Sequence, residues 1–414
     1  MRVCYVTMMF PVESEAFAAV EIRALRHVGV DVSVLTFGPQ PRRASQLLDE
    51  HELSDLPVQH GGLVAYLVGL IAAVHRFSLS LSLLRLLFIH YSGMRQLLVG
   101  MLLVPRVMGM FEQVRRSRPD VVHLFWGHYP SLLGYVLGKG MPQQVVTTSL
   151  GAYDLRAAFG PAAVVARQAA FVRTWSRNAV PAIASMGVPR ENIRVIYRGI
   201  DTAAFQARRE LPRRNRSVMY AGRLIASKRV DRVLKAFDTV RRDYPDATLR
   251  VAGDGPARRR LSAMVQSQDR SSVTFVGHLN HQQLYSSLTL TEVFLFLSAH
   301  PSERLPNVVK EAMAAGCVCI VSGTPGIEEL VEHEVSGFVV TSDEEAIECL
   351  RRCFAAPELV ARIGKAAQHR IRCDFDAHCV AEQLRSAWQD AWAGGACKAL
   401  GSQAEPGSQL TRCP

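Results

Sequence analysis

Neither of the common glycine fingerprints for phosphate binding occurs in this 414-residue chain. The loop after the first apolar run reads Phe10-Pro11-Val12-Glu13-Ser14-Glu15, without GxGxxG, and GxxxxGK[ST] is found nowhere. Gly253-Asp254-Gly255-Pro256 offers two of three glycines, with Arg258 where the third would fall. A nicotinamide enzyme is the first class these absences argue against. Lysine is scarce, with six among 48 basic residues. The nine cysteines are odd in number and form no CxxC, so they read as reduced thiols in a reducing compartment. Cys349 and Cys353 are helix-spaced, with Cys373 and Cys379 nearby, but zinc-ligand spacing is missing. Packing is the better reading, and no metal is expected. The N-terminus reads as a first strand, not a signal peptide, because residues 3–10 are a short apolar run with Glu13 and Glu15 close behind. The longest apolar run, 63–74, is followed by His75 and Arg76 and is shorter than the ~20 residues a bilayer crossing needs. The expectation is a cytoplasmic protein without a spanning segment.

What is present is a globular composition, 49% hydrophobic and 21% charged, in a chain long enough to bury its own core. The formal charge of +11 favours anionic partners: phosphate esters, nucleic acid or an acidic membrane face. Charge does not separate these three; motifs must.

Strand-like and helix-like runs alternate through the first half. Residues 2–9, 31–36, 120–125 and 144–149 read as strands, and 14–27 has helical spacing at Phe17, Val20, Ile22 and Leu25. Short apolar strands between helices predict a parallel sheet covered on both faces. Residues 61–117 interrupt this order with Leu-, Val- and Ile-rich runs punctuated by Arg76, Arg85, Arg95 and Arg106. They read either as extra helices packed on the domain or as an amphipathic face meeting a bilayer or a lipid-linked substrate. Residues 198–216 read as a linker, polar and basic with Pro212. The alternation then restarts, with strands at 217–221, 247–252, 272–276, 292–297 and 318–321. The expected fold is α/β: two Rossmann-like doubly wound domains facing a cleft, over 1–200 and 201–375. A last helix, 376–393, crosses back to the first domain, and 394–414 is a disordered tail.

The strongest constellation is Ser302-Glu303-Arg304-Leu305-Pro306-Asn307-Val308-Val309-Lys310-Glu311. Pro306 suits the first turn of a helix, where no amide hydrogen is needed. The amides around Asn307 and Val308, at the positive end of a helix dipole, would form an anion site, with Glu303 and Glu311 directed to the same ligand. Ala221-Gly222-Arg223-Leu224 ends the first strand of the second half, and Lys228 follows five residues after Arg223. This cationic pair suits a diphosphate. Val251-Ala252-Gly253 and Phe275-Val276-Gly277-His278-Leu279 are two more strands ending in glycine, which admits a ligand close to the backbone.

In this order and spacing the set resembles the retaining glycosyltransferases of family 4, which have the GT-B architecture. The resemblance is specific over about 217–340 and weaker before it, and includes Gly323-Thr324-Pro325-Gly326 with Glu328-Glu329. It implies that Arg223 and Lys228 hold the donor diphosphate, that Glu311 binds the ribose, and that Glu303 contacts the donor sugar. Gly222 and Gly253 would line the donor, and backbone around Gly277, His278 and Leu279 would meet the base. Leu305, Pro306 and Asn307 would lie along the sugar and phosphates. Ser14-Glu15-Ala16-Phe17 resembles the first loop of exopolysaccharide-building members, and Arg198-Gly199-Ile200-Asp201 their entry to the linker.

Two positions depart from the pattern. Ser149-Leu150-Gly151-Ala152-Tyr153-Asp154 places Gly151 where many members have a histidine near the sugar, and Arg304 follows Glu303 where glycine is frequent. His128 is a candidate to fill the space of the missing side chain. Ser14, Glu15, His128, Gly151 and Asp154 are thus the acceptor-side candidates. Asp374-Phe375-Asp376 has metal-binding spacing, but Asp376 reads as a helix cap. The expected activity is metal-independent sugar transfer from a nucleotide-diphosphate sugar, a co-substrate rather than a cofactor. The acceptor would be a glycan or lipid-linked molecule in cell-surface polysaccharide synthesis. The anionic inner membrane surface is the further expected partner, and nucleic acid is not one. A nucleotide-sugar epimerase of the same architecture and a non-catalytic sugar-nucleotide-binding subunit remain as alternatives.

Overall fold

The computed structural model describes the chain except residues 92, 158, 207–214, 266–270, 301–302 and 402–414, and except the side chains of 14, 206 and 395–401. It contains two α/β units. Unit one comprises Met1–Trp175, Ala179–Ile196 and the last helix from Ala381 onward; unit two comprises Ser176–Asn178 and Tyr197–Val380.

Unit one is built on seven strands: β1 (Arg2–Thr7), β2 (Asp31–Thr36), β3 (Val58–Gln59), β4 (Val121–Leu124), β5 (Val145–Ser149), β6 (Val172–Thr174) and β7 (Ile193–Val195). They are parallel, in the order β3-β2-β1-β4-β5-β6-β7. Valine fills the register, with Val3 opposite Val32 on one side and Val121 on the other. Branched side chains suit a sheet buried on both faces, and β4 and β5 are buried at every residue. Unit two repeats the plan with β8 (Ser217–Ala221), β9 (Thr248–Ala252), β10 (Val273–Gly277), β11 (Val293–Phe296), β12 (Val318–Ser322) and β13 (Phe338–Val340), in the order β10-β9-β8-β11-β12-β13. In each sheet the order reverses beside the first strand, between β1 and β4 and between β8 and β11. Such a switch point opens a crevice at the carboxyl ends of the strands.

Four strands go unread in the sequence. β3 has two residues, β7 and β13 three each, and β6 carries a charged residue at its centre. That residue, Arg173, is fully buried. Its Nη1 and Nη2 donate to the two oxygens of Glu21 at 2.8 and 2.7 Å, and its Nε to the Ile196 carbonyl at 3.0 Å. Tyr5 donates to the same carboxylate at 2.9 Å. A charge inside a strand is tolerated here because each guanidinium nitrogen has an acceptor.

The apolar interruption forms three helices, Leu63–His75, Phe77–His90 and Met94–Ser117. Met94–Ser117 is long and apolar enough by length and composition to cross a bilayer, a length hidden in the sequence because Arg95 and Arg106 break the run, and the core helix of a globular unit meets the same description. Over half of its apolar stretch is buried inside unit one. Gly69 and Gly109 form its close crossing with Leu63–His75, where a side chain on Gly69 would strike the Pro105 carbonyl.

The last helix runs Ala377–Gly401, beyond the Gly394-Gly395 pair at which its end is predicted. It starts in unit two and belongs to unit one from Ala381. Trp388 is fully buried against Tyr5 and His123 of unit one, and its indole donates to Thr147 Oγ1 at 3.2 Å. Asp376 caps this helix by accepting from the His378 and Cys379 amides, as the sequence predicts. Residues 207–214 of the predicted linker, and the end of the predicted tail at 402–414, lie outside the described residues, whereas Ala203–Gln206 of the linker forms a short helix.

Candidate active site

The switch point of unit two gathers the predicted donor residues. β10, β9 and β8 are neighbours in the sheet, so Gly277, Gly253 and Gly222 lie side by side at their carboxyl ends. The Gly253 amide donates to the Gly277 carbonyl at 2.7 Å, and the Gly222 amide to the Ala252 carbonyl at 3.1 Å. Gly253 has φ +124°, and a Cβ there would collide with the Gly222 carbonyl. Only glycine fits that packed turn. His278 is exposed beyond Gly277, and Leu279 packs partly on the core.

Arg223 follows β8 and its side chain is exposed. Lys228 closes the short turn Ala226–Lys228, and its ammonium pairs with Glu303 Oε2 from the loop after β11. Both partners are half-buried, and the ammonium lies 5.1 Å from the Phe296 ring centre. Two residues the motifs leave out form the floor. Tyr220 is fully buried and stacks on Phe296 with centroids 6.0 Å apart. Its phenol is pushed up by burial and by the Glu303 charge, and pulled back by Arg223, so both charges act on one hydroxyl. A strand-core aromatic offers no sequence signal for such a position.

The helix Asn307–Ala314 follows. Pro306 is its N-cap, one position before the predicted first turn, and its carbonyl accepts from the Val309 and Lys310 amides. Asn307 and Val308 supply the leading amides, which have no acceptor within a helix. Leu305 packs on the core beside them. Glu311 is buried, and desolvation lifts its carboxyl to about 7, against a smaller opposing pull from Lys310. Lys310 is itself buried; it donates to the Arg198 carbonyl at 2.9 Å and Asn307 Oδ1 at 3.3 Å, which holds the helix start. Glu329 accepts from Ser176 Oγ (2.6 Å), Tyr197 (3.2 Å) and the amides of Arg177 (2.7 Å) and Asn178 (3.0 Å). The second acidic motif is thus an anchor for residues 176–178.

Unit one has its own cluster at the end of β4. The Asp154 carboxylate is buried and accepts from the Gly127 amide at 3.0 Å and the Gly151 amide at 2.9 Å, with His128 Nδ1 at 3.3 Å. Glu15 lies within reach of the Trp126 indole, at 3.4 Å. The side chain of Ser14 lies outside the described residues. The space beside Gly151 is taken by Trp175: a Cβ on Gly151 would strike that ring. His128 therefore does not fill it, which corrects the expectation; it sits next door, on Asp154 and against the Phe159 and Tyr153 rings. A tryptophan directly after a short, Arg-containing strand has no motif to mark it. Among the described residues no group of three or more His, Cys, Asp or Glu side chains is placed to hold a metal ion.

Two doubly wound sheets in one chain, each with polar side chains at its switch point, define a protein of GT-B architecture. Residues 201–370 match the family described as Glycosyl transferases group 1. Over 286 residues the chain is 29% identical to a glycogen synthase of Mycobacterium tuberculosis, covering 64% of this chain and 68% of the relative. It is 23% identical to the amylovoran biosynthesis glycosyltransferase AmsK of Erwinia amylovora, covering 93% and 98%. Among solved structures, Anabaena HepE in complex with UDP superposes with TM-score 0.68 at 18% identity, over 94% of this chain and all of that one; its UDP-glucose complex gives 0.66 at 16%. Together the family match and the named relatives support a glycosyltransferase with the GT-B fold.

Proposed function

We propose that the protein is a retaining, metal-independent glycosyltransferase that moves a sugar from a nucleotide-diphosphate sugar to a glycan or lipid-linked acceptor in cell-surface polysaccharide synthesis. The observation that carries this reading is the Lys228–Glu303 pair at the glycine-lined switch point, with Arg223 at the end of the same strand and the helix Asn307–Ala314 starting four residues after Glu303. The glycosidic bond to the diphosphate breaks and negative charge grows on the leaving oxygen. Arg223, Lys228 and the leading helix amides stabilise that charge in the role otherwise given to a cation. An acceptor hydroxyl forms the new bond to the anomeric carbon from the face the diphosphate leaves, and its proton passes to the leaving phosphate. Glu303 contacts the sugar and frees Lys228 for phosphate when the donor arrives; Glu311 takes the ribose. Glu15, His128 and Asp154 serve the acceptor side. HepE, of similar fold, is named as binding UDP and UDP-glucose, which favours a uridine donor. AmsK is named for amylovoran biosynthesis and the relative WcaL for colanic acid biosynthesis, which favours a role in polysaccharide synthesis.

A panel of nucleotide sugars scored by thermal shift tests the reading, since a bound donor raises stability as RT ln(1 + [L]/Kd). Nucleotide release that depends on added acceptor supports transfer. Sugar interconversion without an acceptor would identify an epimerase instead, and donor binding without turnover a binding subunit.

A further inference from the structure

A cavity of about 520 Å3 lies in unit one between the helices Leu63–His75 and Met94–Ser117, on residues that neither switch-point cluster uses. His60, Val64, Val68, Arg106, Gln113 and Arg116 are among its walls. Arg106 is 3% exposed, and its Nε and Nη2 donate to the Thr36 carbonyl at 3.2 and 2.5 Å. Its Nη1 is buried with no hydrogen-bond partner among the described residues, and so is Gln113 Oε1. Burial lowers the guanidinium to about 10, so it stays charged at neutral pH. Glu112 also lines the cavity, but its oxygens are held by Arg76 at 3.0 Å and Arg115 at 2.7 Å. A buried donor of a permanent cation left unpaired is costly, and an anion relieves it.

The surface around the cavity narrows the choice of anion. Fourteen of the nineteen exposed large apolar side chains among the described residues lie within 63–102, including Leu63, Val64, Val74 and Ile89, each about three-quarters exposed. On Leu63–His75 the exposed positions recur at helical spacing, 64, 67, 71 and 74, so one face is apolar and outward. From 56 to 111 the sequence holds four arginines and three histidines and not one Asp or Glu. A second copy of the chain would bring this predominantly basic face against its own duplicate. An anionic bilayer offers both hydrocarbon and negative charge.

We propose that this cavity binds the phosphate of an anionic phospholipid at a membrane surface, with Arg106 Nη1 as the donor, Gln113 in the wall beside it, and the outward apolar helix faces seated in the acyl region. This deepens the membrane part of the notion of a lipid-linked acceptor and uses nothing of the donor site. Its test needs no sugar, so its failure would leave the glycosyl-transfer reading standing.

Flotation of the full chain with phosphatidylcholine vesicles, with and without phosphatidylglycerol, decides it. The wild type should bind the anionic vesicles preferentially, and Arg106→Gln should weaken that binding about fivefold or more, the worth of one cation near an anionic surface. Val74→Glu should weaken binding to both vesicle types. Should Arg106→Gln fail to fold by circular dichroism, Gln113→Glu, which sets a carboxylate in the cavity, should remove the preference for phosphatidylglycerol. Soluble glycerol phosphate should compete poorly, because it lacks the chains. The proposal is overturned if the wild type shows no preference for anionic vesicles or the folded cavity variants retain it. It is equally overturned if glycerol phosphate competes as well as the lipid, or if light scattering shows the apolar face closed by self-association without vesicle binding.

Discussion

Arg223 and Lys228 differ from the other basic side chains of unit two in what they face. Arg216, Arg241 and Arg242 pair with aspartates at the surface, where an ion pair is worth ~0–1 kcal/mol. Lys228 is held by Glu303 at the end of β8, at the switch point. Charge on a leaving diphosphate grows in the transition state, so Arg223→Ala and Lys228→Ala should each cut turnover ~100- to 1,000-fold, with far less effect on donor binding. The double variant should fall short of the product of the singles, because both act on one leaving group. Nucleotide-release assays check both statements, and near-normal turnover in the two singles would remove the donor-site assignment. Glu311 should behave differently. Its carboxyl is raised from about 4.5 to about 7 by burial, so the folded state holds a proton that the unfolded chain gives up. Stability should therefore fall as pH rises from about 4.5 to about 7, by on the order of 1–3 kcal/mol, and level off above. Glu311→Gln should be more stable relative to wild type at pH 7.5 than at pH 4.5, as read from paired thermal melts; equal differences at both pH values would contradict the buried carboxyl. In unit one, His128→Ala should lower turnover by about tenfold or more with donor binding kept if the cluster serves the acceptor as proposed, since the ring stands beside Asp154. Normal turnover would take His128 out of the site.

The decisive elements are the turns after β8, β9 and β10. Each ends in a glycine with positive φ, and the three backbones touch. At Gly253 both the dihedral and the Gly222 carbonyl forbid a Cβ. Gly253→Ala should cost ~1–3 kcal/mol in strain, lower the melting temperature by several degrees and raise the donor Michaelis constant. Gly394→Ala, at a position where nothing stands within 4 Å, should do neither. Melting curves and donor titrations of the two variants make the comparison. The helix Asn307–Ala314 depends instead on Lys310, whose buried ammonium ties its first turn to the Arg198 carbonyl and lies 5.2 Å from the Phe375 ring centre.

At the scale of the whole molecule, the chain completes unit one only with its last helix. Trp388 is the largest fully buried side chain among the described residues and reaches the first sheet through Thr147, which also lies 2.9 Å from His123. Trp388→Ala should cost ~3–5 kcal/mol, and Trp388→Phe less, because the ring volume is largely kept. Denaturant unfolding with the Trp388→Ala loss below about 1 kcal/mol would show that the helix is dispensable to unit one.

Alternation of apolar runs with helical spacing was enough to read nine strands, two similar sheets and the break between them, because period and turn chemistry are local properties. The placement of Arg223, Lys228, Glu303 and Glu311 near one another was legible for the same reason: they follow strand ends, and a parallel sheet must bring those ends together. Other features had no local signature. Arg173 made β6 look unlike a strand until Glu21, 152 residues away, appeared as its partner. Trp175 took the space beside Gly151 that residue types alone had offered to His128. Run length hid the apolar helix Met94–Ser117, since Arg106 interrupts it in sequence and buries its charge on the Thr36 carbonyl in the fold. In each case the deciding contact joins residues distant along the chain, and the energy of burying a charge or filling a void exists only once the fold has brought them together.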